Sequence, residues 1–305
     1  MANEADDYDI FLENWQGSEL LQYATLPQNI GDPYIENRLL EDSSAESNVE
    51  RTEFSQGQKK IMHIDEQATR GLKYFKDCQA CWAREFRDYV LCKNVSIEKL
   101  DAYVSGFSNF WIDGMSRRQH SNLMLSIKAS IRDYDRHHHP QQLESFVLET
   151  VPNNVKPHFT VEEMAIIFEA NSGLIDAFLP NYVDYLEENS LGSIGCISDL
   201  TVRRGVYMPS VENTRRERYY LSSYSLALGP IEQFAQLWTT KTKNTGIPSL
   251  FSAPLPAIQD RIVAFAPFIA GMDLSQLEFI VAPPVTRTPL KNDGEFGGIN
   301  EFSFE

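Results

Sequence analysis

Three short segments in the last third of the chain hold the residue types from which an active site could be built. Residues 200–207 form a β-rich run with two arginines directly before a glycine, and residues 220–235 place a Ser-x-Ser at the end of a strand that turns into a helix. Residues 275–287 carry a carboxylate at the start of a strand, followed by a Pro-Pro turn. A guanidinium can clamp phosphate groups through its planar fork, and a carboxylate can stabilise a developing cation.

The order and spacing of these segments resemble the Arg-Ser-Glu branch of the mono-ADP-ribosyltransferase superfamily. That family has Tyr-Arg-Gly on its first strand, then Ser-Thr-Ser-Leu and a helix ending in Phe-Ala, and then Glu-x-Glu or Gln-x-Glu before a Pro-Pro turn. This chain has Arg-Arg-Gly at 203–205, Ser-Tyr-Ser-Leu at 223–226, Phe-Ala at 234–235 and Gln-Leu-Glu at 276–278. The resemblance covers about residues 200–290, a third of the chain.

The resemblance implies an enzyme that uses NAD as a substrate and transfers its ADP-ribose to a protein. Splitting the nicotinamide bond produces a cation like that of glycoside hydrolysis, which a carboxylate on the ribose face would stabilise. The implied catalytic residues are Glu278 for the cation, Ser223 to hold Glu278, and Gln276 to orient the acceptor. The implied NAD-binding residues are Arg204 for the pyrophosphate, Ser225, and Tyr220 or Tyr224 for stacking on nicotinamide.

Several assignments within this constellation stay open. Arg203 is the fallback for Arg204, since both precede the glycine. The segment 250–254, Leu-Phe-Ser-Ala-Pro, competes for the serine position, although it lacks a second serine. Glu295 and Glu301, which we expect in a C-terminal loop, are the next candidates for the glutamate.

Two other clusters could bind a metal ion, and we interpret both as structural. Cys78 and Cys81 have the spacing of a zinc-binding pair, but a structural zinc site needs two more ligands in a similar pair. Because Cys78 falls on an apolar helix face, we expect both to be thiols of the core. The run of histidines at 137–139 is expected in an exposed turn between helices, and no metal is predicted.

The middle of the chain is predicted to be helical. Apolar residues recur every three or four positions from about 68 to 89, and a second series from Ser96 to Trp111 begins at a capping serine. A third helix is expected from about 122 to 134, and Pro140 suits the first turn of a fourth. Thr160 and Glu163 have the spacing of a capping box, for a helix expected to end near residues 171–173 before another that bends or breaks at Pro180.

After residue 192 the pattern changes to short strands with frequent Gly and Pro. Strands are expected at 201–207, 219–223 and 277–282, and the glycine-rich segment 293–298 is expected to be a terminal loop. The sequence therefore predicts an α+β chain, with a helical N-terminal region followed by a mixed α/β core that the resemblance identifies as an ADP-ribosyltransferase-like β-sandwich. The expected parts are an acidic leader and linker at 1–60, a helical accessory domain at 61–190, and a catalytic domain at 191–305.

Composition excludes several classes of protein. The chain of 305 residues has 27 Lys+Arg against 43 Asp+Glu and a net charge of −16, which argues against a nucleic-acid binder. The longest apolar run has 11 residues, whereas a spanning helix needs about 20, so no membrane insertion is expected. The N-terminus lacks the pattern of a secretory signal, which suits a cytoplasmic protein or an effector delivered to a host cell without one.

The sequence thus predicts an NAD-dependent protein mono-ADP-ribosyltransferase, with a target protein as the acceptor. In the family, Gln-x-Glu tends to occur with acceptor side chains other than arginine, so Gln276 favours an acceptor other than arginine. The alternative is a non-enzymatic helical interaction protein with a degenerate domain of this family. A weaker option is a metal enzyme built on the cysteine pair and the histidine run.

Overall fold

The protein is described by a computed structural model over most of its helical and strand-forming parts. The described residues are 62–111, 116–140, 151, 154–189, 200–208, 221–226, 247–272, 274, 277–284, 290–296 and 299–304. The predictions that lie outside them are the acidic leader and linker at 1–60, the helix after Pro140, the domain boundary near 190, the helix after Ser-x-Ser, and the site residues Tyr220 and Gln276.

Four α-helices make up the N-terminal part of the described structure. Helices α1 (Met62–Cys92), α2 (Ile97–Ser105), α3 (Ser116–His138) and α4 (Val161–Glu188) occur where the sequence predicts helical segments. Helix α2 continues into a single π-helical turn, Gly106–Phe110. A π-turn is rare, and it is found frequently at functional sites.

The predicted start signals of α2 and α4 are confirmed. Ser96 has extended backbone angles and its hydroxyl accepts a hydrogen bond from the backbone N–H of Lys99. Thr160 and Glu163 form both halves of the capping box that begins α4. These contacts satisfy N–H groups that have no partner inside the helix.

The predicted break within α4 is wrong, because the helix runs without interruption through Gly173 and Pro180. Asn171 is fully buried, and its side-chain amide donates to the carbonyls of Ile167 in the same helix and Val263 in the sheet. The buried positions keep one helical phase across the glycine and the proline, so packing against the sheet outweighs the local preferences of those two residues. The residues in that phase are Met164, Ile167, Phe168, Asn171, Ile175, Leu179, Tyr182 and Leu186.

The C-terminal part forms one mixed sheet of seven described strands in the order β4-β5-β2-β1-β3-β7-β6. The strands are β1 (Thr201–Met208), β2 (Ser222–Ser225), β3 (Ile247–Pro254), β4 (Ile262–Phe265), β5 (Glu278–Val281), β6 (Leu290–Phe296) and β7 (Ile299–Phe304). Strands β3 and β7 pair in parallel and the other pairs are antiparallel. The α+β class is confirmed. All described strands belong to one sheet. The second sheet that a β-sandwich requires is not present among the described strands.

The strands at the C-terminus correct a second prediction. The glycine-rich segment expected as a loop contributes to β6, which pairs with β7 from Leu290↔Phe304 to Phe296↔Ile299. Only two residues, both glycine, link these strands, and Gly-Gly between strands is a hairpin signal that the sequence analysis missed. Strand β2 also lies further along the chain than expected, and strands β3 and β4 were not predicted.

The helices and the sheet share one hydrophobic core. Strand β4 and the turns on either side of it are where the helices attach. The ring of Phe75 on α1 meets that of Phe265 edge-on, with centroids 6.1 Å apart, and Tyr103 on α2 donates to the carbonyl of Val263 at 2.6 Å. The structure therefore ties the helical part directly to the strand that neighbours β5. None of the helices in the described ranges combines the length and the apolar character needed to cross a membrane.

A buried carboxyl group on α3 interacts electrostatically with an arginine in the turn before β4. Asp135 is buried, and its Oδ2 has no hydrogen-bond partner. Burial raises the pKa of Asp135 to about 7, and the positive charge of Arg261 opposes this increase. The neighbouring charged and titratable groups are Tyr134 on α3 and Asp260 in the turn.

We expect Asp135→Asn to flatten the dependence of stability on pH. Because the folded-state pKa is raised above the usual value of 3.8, the folded protein holds the proton more tightly than the unfolded chain. The contribution of Asp135 to the free energy of unfolding is fully present below the pKa that this group has in the unfolded chain. It is lost as pH rises through the folded-state pKa of about 7. Between pH 5.5 and pH 8 the loss is about 2 kcal/mol, and urea denaturation at both pH values measures it.

Asp133→Asn is the matched control for this prediction. Asp133 lies on the same helix, is half-buried and pairs with Arg132 at 2.9 Å. That variant should keep the wild-type loss of stability between the two pH values. An Asp135→Asn variant with the same loss as wild type would show that Asp135 does not titrate in this range.

Candidate active site

One residue from each of three neighbouring strands forms a continuous row across the sheet. Arg203 on β1 lies opposite Ser225 on β2, and Ser225 lies opposite Glu278 on β5. Residues directly opposite each other in antiparallel strands present their side chains on the same face, about 5 Å apart. Three residues from segments distant in sequence are therefore brought side by side, and this set is called the Arg-Ser-Glu row below.

The row continues on the other side of Arg203. Ser252 on β3 is opposite Arg203, and Glu301 on β7 pairs with Leu250 of the same strand. The Nε of Arg203 donates to Oε1 of Glu301 at 3.0 Å, and the Oγ of Ser252 donates to the same oxygen. Glu301 therefore fixes the guanidinium from the side away from Ser225.

The opposite face of the sheet holds two of the residues predicted to bind NAD. Successive residues on a strand alternate between faces, so Arg204 and Tyr224 lie on the face opposite to the row. Arg204 pairs with Phe251, and Tyr224 pairs with Phe279 and belongs to the hydrophobic core. The structure thus brings Ser225 and Glu278 together with Arg203, the fallback arginine, and separates them from Arg204 and Tyr224.

The two serines of the motif lie on the same face of β2 but at different distances from Glu278. Ser225 is buried and directly opposite Glu278, whereas Ser223 is half-buried and opposite Ile280, on the same face one pair further along. The serine adjacent to the glutamate is therefore Ser225, although the resemblance assigns that contact to Ser223. Tyr220 and Gln276 lie outside the described residues.

The site concentrates buried charge. Arg203, Glu278 and Glu301 are 6%, 5% and 6% exposed, and Arg204 on the opposite face is 7% exposed. Charged groups are rarely buried to this degree unless they are paired, and a cluster of them is a candidate functional site.

A side chain from the helical part reaches the candidate glutamate. The indole Nε1 of Trp111, which follows the π-turn directly, donates to Oε1 of Glu278 at 2.6 Å. A hydrogen bond to a carboxylate is short and strong relative to one between neutral groups. The helical part therefore contributes a donor to the site in the sheet.

The sequence did not predict the contacts of Ser252, Glu301 and Trp111, although Glu301 and the segment that contains Ser252 were named as alternatives. Ser252 lies in the segment that competes for the serine position, but the pairing that places it opposite Arg203 is not visible in the sequence. Glu301 was expected in a loop, and the Gly-Gly hairpin signal would have placed it on a strand. The predicted apolar face of the second helix includes Trp111, but nothing in that pattern indicates where its N–H points.

The candidate metal ligands do not come together in the described structure. Cys78 is partly buried against the core, whereas Cys81 is exposed, so the prediction of two core thiols is wrong for Cys81. His137 and His138 are exposed in the last turn of α3, near the position expected. Within the described ranges no group of three or more His, Cys, Asp or Glu residues is placed to hold a metal ion.

Comparisons with protein-family models, with curated proteins and with solved structures each gave no match. What the row offers chemically is a guanidinium and a carboxylate on one face, separated by one strand. With strands about 4.8 Å apart, Arg203 and Glu278 stand about 10 Å apart along the hydrogen-bonding direction.

Proposed function

We propose that the protein is an NAD-dependent protein mono-ADP-ribosyltransferase. The observation that supports this most is the Arg-Ser-Glu row. The three residue types of the family's motif, in the order of its segments, occupy three adjacent strands and face the same side. Sequence order alone requires no such alignment, since Glu278 lies 53 positions after Ser225 in the chain.

Each member of the row suits one part of the reaction. Arg203 would bind the pyrophosphate of NAD, because a guanidinium presents its N–H donors in a planar fork that matches phosphate oxygens, and Glu301 holds this one through its Nε. Glu278 would lie against the ribose and stabilise the positive charge that forms as nicotinamide leaves. Ser225 would orient the carboxylate of Glu278 from the neighbouring strand. The ADP-ribose would then pass to a side chain of a target protein.

The choice between the two arginines follows from strand geometry. A ligand bound against Glu278 lies on the face that Arg203 shares and Arg204 does not. We therefore assign pyrophosphate binding to Arg203. Arg204 is opposite Phe251 and lies on the other face, so its role would be structural.

Burial of the row bears on how its charges act. Both Arg203 and Glu278 are nearly excluded from solvent, so their interactions with a substrate would be screened less than at a surface. A preorganised carboxylate in such surroundings stabilises a cation without reorientation of water. In such surroundings a single charge stabilises the transition state of the proposed reaction more than it would at a solvent-exposed surface.

We expect NAD to raise the melting temperature of the protein. A ligand that binds only the folded state stabilises it by about 2.7 kcal/mol at 100 times its dissociation constant. A thermal-shift titration with NAD measures the effect, and AMP is the control because it lacks both the pyrophosphate and the nicotinamide ribose. The proposal predicts a shift that grows with NAD concentration and is larger than that with AMP.

Equal responses to NAD and AMP, or no response at millimolar NAD, would contradict the proposed function. The Arg-Ser-Glu row would then be a buried polar ladder that holds the sheet together. The protein would correspond to the alternative, a non-enzymatic interaction protein with a degenerate domain.

A further inference from the structure

We propose that Trp111 is a positioning residue for Glu278 and that the helical part orients the catalytic carboxylate through it. This inference rests on the proposed function, since it names a further residue of the same site. It starts from one contact, the donation of the indole N–H of Trp111 to Oε1 of Glu278 at 2.6 Å.

Trp111 is held by a series of aromatic rings that begins in the core. Tyr103 is fully buried and donates to the carbonyl of Val263 at 2.6 Å. Its ring meets that of Phe107 edge-on at 4.9 Å, and the ring of Phe107 lies 6.0 Å from that of Trp111. The indole is therefore linked by contacts to β4, the strand beside the one that carries Glu278.

The π-turn places the indole. A π-turn closes over five residues instead of four, so the side chain that follows it is displaced from the phase of the preceding α-helix. Gly106 opens this turn and lies against α3, where an added Cβ would approach Cδ1 of Ile127 to 2.9 Å. The close approach at Gly106 fixes the turn against α3 and, with it, the direction of Trp111.

The bond has a chemical consequence for the carboxylate. A donor on one oxygen of a carboxylate favours its charged form and restricts its rotation. Ser225 lies beside Glu278 on β2, and the charged groups on the same face include Arg203 on β1 and Glu301 on β7. Within this arrangement Trp111 is a contribution of the helical part, and its hydrogen bond would hold the carboxylate of Glu278 in one orientation toward the ribose.

The first arm of the test needs neither NAD nor activity. The chain has four tryptophans, so the indole N–H region of a ¹⁵N-labelled sample contains four signals, and Trp111→Phe identifies one of them. We expect that signal to move with pH and to lose this dependence in Glu278→Gln. A Trp111 signal that is the same in Glu278→Gln as in wild type would overturn the inference.

The second arm measures nicotinamide release against pH. Trp111→Phe should lower kcat about tenfold, leave KM for NAD within about twofold, and move the acid limb of the profile to higher pH by about one unit, as expected for the loss of one hydrogen bond to the charged form. Trp82→Phe is the matched control, because Trp82 is a buried tryptophan of α1 that stacks on Phe178. That control should lower the melting temperature without moving the acid limb.

An unchanged acid limb in Trp111→Phe, or a lower dissociation constant for NAD with unchanged kcat, would overturn the positioning role. The second result would mean that Trp111 blocks Glu278. Failure of the proposed function has a different signature: the Trp111 signal would still respond to Glu278→Gln while wild-type protein releases no nicotinamide. That outcome would remove the catalytic part of this inference as well.

Discussion

Glu278→Gln should reduce the rate of nicotinamide release by a factor on the order of 10²–10³, as for the loss of one preorganised electrostatic group. Glutamine has nearly the shape of glutamate and can still accept the indole hydrogen bond, but it has no charge to stabilise the ribosyl cation. The loss should therefore fall in kcat, with the dissociation constant for NAD changed by less than about threefold. Steady-state kinetics together with calorimetric NAD binding separate these two quantities.

Glu301→Gln is the control, because Glu301 is the other buried carboxylate on this face. It contacts Arg203 and Ser252 and does not lie beside Glu278. We expect this variant to raise KM for NAD, through a less firmly held Arg203, and to retain most of kcat. Equal losses of kcat in both variants would mean that the two glutamates act only through the stability of the sheet.

The second large effect concerns the adjacent arginines. Arg203→Lys keeps the charge but loses the planar fork, and we expect it to weaken NAD binding by roughly 10- to 100-fold. This corresponds to one or two charge-assisted hydrogen bonds of about 1.5–3 kcal/mol in total. Binding calorimetry measures the change, and a parallel thermal melt establishes that the variant is folded.

Arg204→Lys is matched to it in residue type, burial and strand, and differs in the face that it occupies. NAD binding by this variant should stay within about threefold of wild type. The reverse result, with weak binding in Arg204→Lys and normal binding in Arg203→Lys, would show that NAD lies against the other face. The assignment of Glu278 would then be lost as well.

Local signals in the sequence were sufficient to predict where helices α2 and α4 begin. The cap at Ser96 and the capping box at Thr160 and Glu163 depend on neighbouring residues, so they could be recognised directly. The end of α4 was misplaced because Gly173 and Pro180 are local signals too, while the packing of Asn171 against Val263 is not. Contacts between distant segments therefore determine that α4 continues past Gly173 and Pro180.

The candidate site shows the same division. The resemblance identified Ser225 and Glu278 as residue types in order, but the choice of Arg203 over Arg204 depends on strand pairing across β1 and β2. A shift of one residue in that register would reverse the choice, and the sequence contains no direct measure of register. Trp111 could not be assigned for a related reason, since its contact with Glu278 spans 167 positions.

The most direct test of the central claim is the transfer of label from NAD that carries ³²P in its adenylate phosphate to the proteins of a cell lysate. The account predicts that wild-type protein labels at least one protein band and releases nicotinamide, and that Glu278→Gln leaves that band at least 100-fold fainter. Labelling of equal strength by Glu278→Gln, or neither labelling nor nicotinamide release by wild-type protein that binds NAD, would contradict it.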